Sequence, residues 1–347
     1  MPKIRAFSEL SNIFGKILVM KRILGIGNAL VDILTIVDND EILRKFRLPK
    51  GSMQLVDMQK SARVKSGTKH CQKTFSSGGS AANTIHGLAM LGIDTGFIGS
   101  IGRDETGDFF EKDMKNAGVN TLLMRRNSVT GTAVALITPD SERTFATHLG
   151  AAVEISPDDL NPMLFEGYDI LYLEGYLINN FPLIEAACRN AKEKGMLVSL
   201  DLASYNVVES NLNDFRIIVK GYVDILFANE LEARAFTGTD PDEALSLLSA
   251  FSEVVILKVG ADGSILKKGE ELIKVSALPV KCNDTTGAGD LYAAGFLYGF
   301  ARELSLEKCG LLGSFMAGKV IEIVGARMDT VKFAEIKNGI KDIMNEN

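Results

Sequence analysis

Residues 284–290 read Asp-Thr-Thr-Gly-Ala-Gly-Asp and run directly into the stretch LYAAGFLYGFAREL. That stretch is apolar nearly all round at helical spacing, which predicts a buried helix. Gly287 and Gly289 favour instead a tight turn, where backbone N–H groups approach a ligand closely. A glycine turn entering a buried helix leaves several N–H donors unpaired and aims the positive end of the helix dipole at one spot. Such an arrangement holds an anion, typically a phosphate. Asp290 stands in the first turn beside those donors. A carboxylate there steadies a helix start by about 0.3–1 kcal/mol, but capping alone requires no pair of glycines. The chemistry that uses all these parts is phosphoryl transfer. Asp290 takes the proton of an attacking hydroxyl while the glycine amides stabilise charge on the transferring group. An ionised Asp is a weak base, but the proton leaves late in a loose transition state.

The elements that must position this turn alternate between strand-length apolar runs and helical patterns. Strands are expected at 22–27, 95–101, 170–174, 196–201 and 224–228. Helices are expected at 81–91, 105–117, 182–194 and near 208–219. This alternation implies an α/β fold with a mostly parallel sheet covered by helices on both faces. Two regions break the rhythm. Residues 33–56 and 121–149 hold short, partly alternating runs such as DILTIVD, GSMQLVD, TAVALITPD and RTFATHL. They read as antiparallel strands of a small β lid built from two insertions. The last third returns to strands in VVILKVG, GSILKKG and ELIKVSA, then to three long helical patterns from Ala288 onward.

Composition narrows the classes further. The 347 residues are 46% hydrophobic and 24% charged with a net charge of -6, so no basic footprint for nucleic acid is present. Cys71, Cys188, Cys282 and Cys309 are far apart, as are His70, His86 and His148. Zinc spacing is therefore absent, and a reduced, cytoplasmic protein is expected. The apolar stretch 13–36 is interrupted by Lys16, Lys21, Arg22 and Asp32, which excludes a bilayer span and a membrane partner. Met20 looks like a natural start leading into the first strand, so residues 1–19 are expected to be a dispensable extension of a domain spanning 20–347.

DTTGAGD followed by its long apolar helix resembles the C-terminal signature of the PfkB/ribokinase family of carbohydrate and nucleoside kinases. A second stretch, Gly78-Gly-Ser-Ala-Ala-Asn83 leading into TIHGLAMLGIDTGFIGSIGRDETGDFF, resembles the family's N-terminal signature. The resemblance runs from about Arg22 to Met328. It implies a ribokinase-like three-layer α/β/α fold with a small β-sheet lid, ATP as phosphate donor, Mg2+, and K+ in some members. Asp290 would be the general base, with Gly287, Ala288 and Gly289 as the anion hole. Asn28, Asp32, Gly78, Gly79 and Asn83 match substrate contacts; a carboxylate such as Asp32 can accept two hydroxyl hydrogen bonds. Glu174, ending a strand at the mouth of a parallel sheet, is a further candidate. Asn229-Glu-Leu-Glu232 matches the family's N-x-x-E element, in which Glu232 organises magnesium-bound water. Without that match it is a helix start capped by Asn229. Lys258, Gly260 and Gly263 match the nucleotide loop, which otherwise reads as a hairpin. Asp284 and Thr286 match positions associated with a monovalent cation.

Within the family, GGSAANT with Ser80 where ribokinases carry Lys, Asn28-Ala-Leu-Val-Asp32, ERTFATHLGAA and LEGYL are most similar to the adenosine-kinase-like branch. Arg143 is then either a lid residue closing over the substrate or a surface strand residue. The implied reaction converts adenosine and ATP to AMP and ADP. A sugar kinase for ribose, fructose or ketodeoxygluconate is the alternative, and a non-catalytic nucleoside or nucleotide sensor is the reading from another class. A homodimer through the lid is a further expectation. Two near-motifs carry less. Gly25-Ile-Gly27-Asn-Ala-Leu30 lacks the third glycine of a dinucleotide fingerprint, and Gly313–Val320 lacks the hydroxyl that a Walker loop places on magnesium. His86, Met90, Met114 and Met316 read as packed helix or core residues.

Overall fold

The computed structural model describes residues 20–140 and 142–345; the expected extension at 1–19 lies outside the described residues. Among the described residues, the larger of two sheets has nine strands. Their order is β14 (Glu271–Val275), β13 (Ser264–Lys268), β12 (Val254–Lys258), β11 (Ile225–Asn229), β10 (Leu197–Asp201), β9 (Ile170–Glu174), β1 (Ile23–Ile26), β5 (Thr95–Gly102) and β6 (Asn120–Arg126). Strands β12 through β6 pair in parallel. The β12–β13 and β13–β14 pairs are antiparallel.

Neighbouring residues on these strands feed opposite faces, as the strand period of two requires. Ile23, Phe97, Tyr172, Phe227 and Ile256 pack with Leu291, Phe296, Leu312 and Phe333 on one face. Leu24, Ile98, Leu171, Val198 and Leu226 pack with Leu183, Ile184, Phe215 and Phe236 on the other. The first layer contains helices Ser80–Leu91, Ala288–Ala301, Leu306–Ile321 and Thr330–Asn345. The second contains Phe181–Glu193, Leu212–Tyr222, Glu230–Thr237 and Pro241–Leu248. Three layers result, as the alternating pattern implied.

The second sheet has five strands, ordered β3 (Met53–Leu55), β8 (Arg143–His148), β7 (Gly131–Ile137), β2 (Leu30–Ile36) and β4 (Lys73–Gly78). Four details differ from expectation. The 121–126 segment, read as lid, is β6, a half-buried edge of the main sheet paired with β5. Strand β4 was missed because KTFSSG carries little apolar alternation. Two pairs in this sheet, β2–β7 and β3–β8, are parallel rather than antiparallel. The chain passes through other elements between each pair, which supplies the crossover that parallel pairing needs. The helix expected near 208–219 divides at Asn211 into Tyr205–Ser210 and Leu212–Tyr222.

The near-motifs dissolve into packing. Strand β1 passes through Gly27–Ala29 straight into β2, with no helix where a dinucleotide site needs one. Gly313–Val320 lies inside the Leu306–Ile321 helix, and a Cβ at Gly313 would meet the Tyr292 ring at 2.9 Å. His86 and Phe333 have ring centroids 6.4 Å apart, and burial holds the His86 pKa well below its usual value.

Candidate active site

The carboxyl ends of β9, β10, β11 and β12 carry Glu174, Asp201, Asn229 and Lys258 in neighbouring positions. Ligands bind at this edge of open α/β sheets. The two glycine-bearing helix starts converge on the same edge. Gly287 caps the Ala288–Ala301 helix with φ 77°, a left-handed conformation that favours glycine. A Cβ there would also lie 2.5 Å from Ala326 Cβ. The Ala288 amide donates back to the Thr285 carbonyl at 3.1 Å. The Gly289 and Asp290 amides precede the helix's own hydrogen-bond ladder and are free for an anion. All four residues from Gly287 to Asp290 are half-buried, so the turn is open to a ligand.

The two signature stretches meet at Asp290. Its Oδ1 accepts from Ser80 Oγ at 2.6 Å and its Oδ2 from Asn83 Nδ2 at 2.8 Å. Burial pushes its pKa up to about 6, against the pull of those two hydrogen bonds. A carboxylate poised there is ionised near neutral pH and is a better base than an ordinary Asp. Ser80 was noted in sequence only as a departure from lysine, and the fold turns it into an anchor of Asp290.

On one flank of the turn, Glu174 is a buried tether. Its Oε1 accepts from Asn28 N at 2.9 Å and Asn28 Nδ2 at 2.5 Å, and its Oε2 accepts from Ala81 N at 2.8 Å. Burial raises its pKa to about 7. Gly79, at φ 99°, brings its backbone so close to the Asn28 carbonyl that a Cβ would sit 2.1 Å from that oxygen. Gly78 leaves room for the Asp32 carboxylate, which a Cβ would meet at 2.4 Å. Burial raises the Asp32 pKa to about 7; Arg327 opposes the rise and Asp290 adds to it. The Asn83 Oδ1 is buried and takes no hydrogen bond from the described residues. Sequence reasoning missed Arg327, which stands in no motif. Its Nε donates to Ser77 O and its Nη2 to Ser77 Oγ, both at 2.7 Å, fixing the end of β4 beside Asp32.

On the other flank, Asn229 caps the Glu230–Thr237 helix in a reciprocal box. Its Oδ1 accepts from Glu232 N at 2.9 Å, while its N and Nδ2 donate to the Glu232 carboxylate at 2.8 and 2.6 Å. The capping alternative thus describes the local geometry. Burial raises the Glu232 pKa to about 7 despite the nearby Lys258. The Lys258 ammonium pairs with Asp201 Oδ2 at 2.7 Å, and a Cβ on Gly289 would lie 3.3 Å from that ammonium. Lys258 therefore stands directly against the glycine turn rather than out on its hairpin. Gly260 and Gly263 bound the short turn between β12 and β13. Asp201 was not singled out in sequence, where it ends an expected strand like any other; strand pairing sets it opposite Glu174.

Arg143, at the start of β8, reaches from the second sheet to the turn. Its Nη1 donates to Thr286 Oγ1 at 2.9 Å and is ion-paired with Asp284 Oδ2. Asp284 also accepts from Thr286 N, Thr286 Oγ1 and Gly325 N at 3.0, 2.8 and 2.6 Å. The expected surface alternative for Arg143 does not hold, since its side chain is only 10% exposed.

A layered α/β body with an anion-accessible glycine turn, a poised carboxylate and a second sheet over the strand ends fits a small-molecule phosphotransferase. Residues 51–332 match the pfkB family of carbohydrate kinases, and the chain belongs to that family. An uncharacterized sugar kinase of Archaeoglobus fulgidus is 31% identical over 70% of this chain and 96% of its own length. Adenosine kinase 2 of Arabidopsis thaliana is 26% identical over 87% of this chain and 94% of its own. The solved structure of adenosine kinase from Sinorhizobium meliloti superposes with a TM-score of 0.83 at 33% identity, covering 92% of this chain and 100% of that one. The protein is accordingly an ATP-dependent kinase acting on a hydroxyl group of a sugar or nucleoside, and the family typically uses Mg2+. No helix among the described residues is long and apolar enough to cross a membrane.

Proposed function

We propose that the chain is an adenosine kinase, moving the γ-phosphoryl group of ATP to the 5′ hydroxyl of adenosine. The observation that carries the chemistry is Asp290, raised to about 6 and held by Ser80 and Asn83 at the mouth of an anion-binding helix start. The hydroxyl oxygen forms a bond to the γ-phosphorus, the bond to the bridging oxygen of ADP breaks, and the hydroxyl proton passes to the Asp290 carboxylate. Gly287, Ala288 and Gly289 shape the turn that receives the phosphoryl charge, with Lys258 against it.

Asp32 and Asn83 supply acceptors for ribose hydroxyls, and Gly78 and Gly79 let Asp32 and Asn28 come close. Glu174 contributes by holding Asn28. Gly260 and Gly263 border the nucleotide. Magnesium, when bound, neutralises the triphosphate. The Glu232 carboxylate keeps lone pairs beyond those used by Asn229, so it can accept from the ion's water shell. Adenosine is favoured as acceptor by the GGSAANT, ERTFATHLGAA and LEGYL runs; adenosine kinases match over 87% and 92% of the chain, and a probable sugar kinase of Rhizobium etli also matches over 92%. The sugar-kinase alternative draws on the Archaeoglobus relative. The unpaired cysteines are consistent with a reducing, cytoplasmic setting. Exposed Ile36, Met53, Leu55 and Phe75 on the second sheet support a homodimer through it, which sedimentation would test.

The deciding assay follows ADP release with adenosine, inosine, ribose and fructose in turn. Adenosine should give the highest kcat/KM, by about tenfold or more. A sugar turned over better would replace the acceptor and leave the kinase class intact; tight adenosine binding without ATP consumption would make the chain a sensor.

A further inference from the structure

The corner formed by Asp284 and Thr286 holds the phosphate turn in place, and the resemblance to the family implied a monovalent cation there. The oxygens in question are already committed. Asp284 Oδ1 takes the Thr286 amide and hydroxyl, and Oδ2 takes the Gly325 amide and the Arg143 guanidinium. Thr286 Oγ1 in turn receives Arg143 Nη1 at 2.9 Å. Asp284 and Arg143 are 5% and 10% exposed. A K+ ion at this carboxylate would have to share it with a guanidinium in a poorly hydrated place, where like charges repel strongly. The residues present do not fit a monovalent ion.

We propose that the Arg143 guanidinium takes the place of a monovalent cation at this corner, so that the kinase works without K+. A guanidinium suits the position because it is always charged, weakly hydrated and able to address two oxygens at once. It differs from a dissolved ion in one respect that matters: it arrives on β8, from the other sheet. The positive charge behind the anion turn is present only when the second sheet is docked. Completing the phosphate site and closing the second sheet are therefore one event. Arg143 acts as a positioning residue for the Asp284–Gly287 turn, with Lys258 supplying the charge on the other side. The proposal rests on the kinase activity of the family and is independent of which acceptor the chain uses.

The test compares K+, Na+ and tetramethylammonium chlorides at one ionic strength. Wild-type melting temperature, and turnover with whichever acceptor is active, should vary by less than about twofold in rate among them. Crystals soaked in Rb+ should show no ion at the Asp284 carboxylate. An Rb+ site there, or a tenfold stimulation by K+, would overturn the proposal. Arg143→Ala should lower kcat by about 100-fold in tetramethylammonium. K+ or millimolar guanidinium should restore part of that loss, and an Rb+ site should appear at Asp284. An alanine variant with normal kcat, or one impaired but insensitive to every cation and without Rb+ at Asp284, also overturns it. The melting and Rb+ measurements need no acceptor, so an incorrect substrate assignment would leave them standing. Should the alanine variant fail to fold, the wild-type measurements decide alone.

Discussion

On the proposed acceptor flank of the Gly287–Gly289 turn a polar atom is left over: Asn83 Oδ1 is buried and takes no hydrogen bond from the described residues, while burial raises the pKa of the Asp32 carboxyl against the pull of Arg327. On the proposed nucleotide flank the charges are engaged internally, Lys258 by Asp201 and Glu232 in part by the Asn229 box. A buried acceptor without a donor costs about 1–3 kcal/mol, a cost that a hydroxyl-bearing ligand removes on binding. On the proposed assignment, this flank selects hydroxyls. On the same assignment, the other flank keeps the Lys258 ammonium in place for a triphosphate. Selection comes from what is unfilled, and positioning from what is filled.

Removing the proposed base between the two flanks should have the largest effect. Asp290→Asn is expected to lower kcat by about 10³-fold with little loss of acceptor affinity, read by single-turnover kinetics and calorimetry. Near-normal turnover would exclude Asp290 as base. In the wild type, kcat/KM should rise with pH through about 6, where Asp290 loses its proton, because only the carboxylate can accept one.

The next effect sharpens the contrast. Asp32→Ala should raise the acceptor KM by about 50-fold, from roughly 1.5–3 kcal/mol for a hydrogen bond to a charged group. The KM for ATP should not move. Equal changes in both would erase the distinction between the flanks. Lys258→Met should lower kcat/KM for ATP by about tenfold or more. It should also lower Tm, because Asp201, with a side chain 6% exposed, loses its cation. Adding Asp201→Asn should return the Tm but not the turnover. Recovery of both would mean that the pair serves stability alone.

The smallest effect concerns Glu174. Its pKa is raised from an ordinary carboxylate value to about 7, so the folded protein binds that proton more tightly than the unfolded chain does. The associated stability is present below about pH 4 and is lost as pH rises through about 7. Glu174→Gln, which mimics the protonated form, should flatten the decline of Tm over that window. An unchanged slope would show that Glu174 is ionised throughout.

Much of this was legible in the residues because the relevant signals are local. The run 170–174 is the strand Ile170–Glu174, and the apolar stretch after DTTGAGD is the Ala288–Ala301 helix. Each is set by periodicity and by glycine within a few residues. What escaped were contacts made across the chain. Arg143 meets Thr286, and Arg327 meets Ser77, with no pattern in either segment to announce the pairing. Asp201 looked like an ordinary strand end until β10 was placed between β9 and β11. The KTFSSG strand lacks alternation because its far end is shaped by Asp32 and Arg327 rather than by a core.

Glu174 and Lys258 end two strands of the main sheet separated by β10 and β11. Three inter-strand spacings of about 4.8 Å each put roughly 14 Å between those strands. Backbone hydrogen bonds set that interval, and no side chain can stretch it. Loops and the second sheet can therefore drift from one acceptor to another over evolution while the gap between the two proposed berths stays constant.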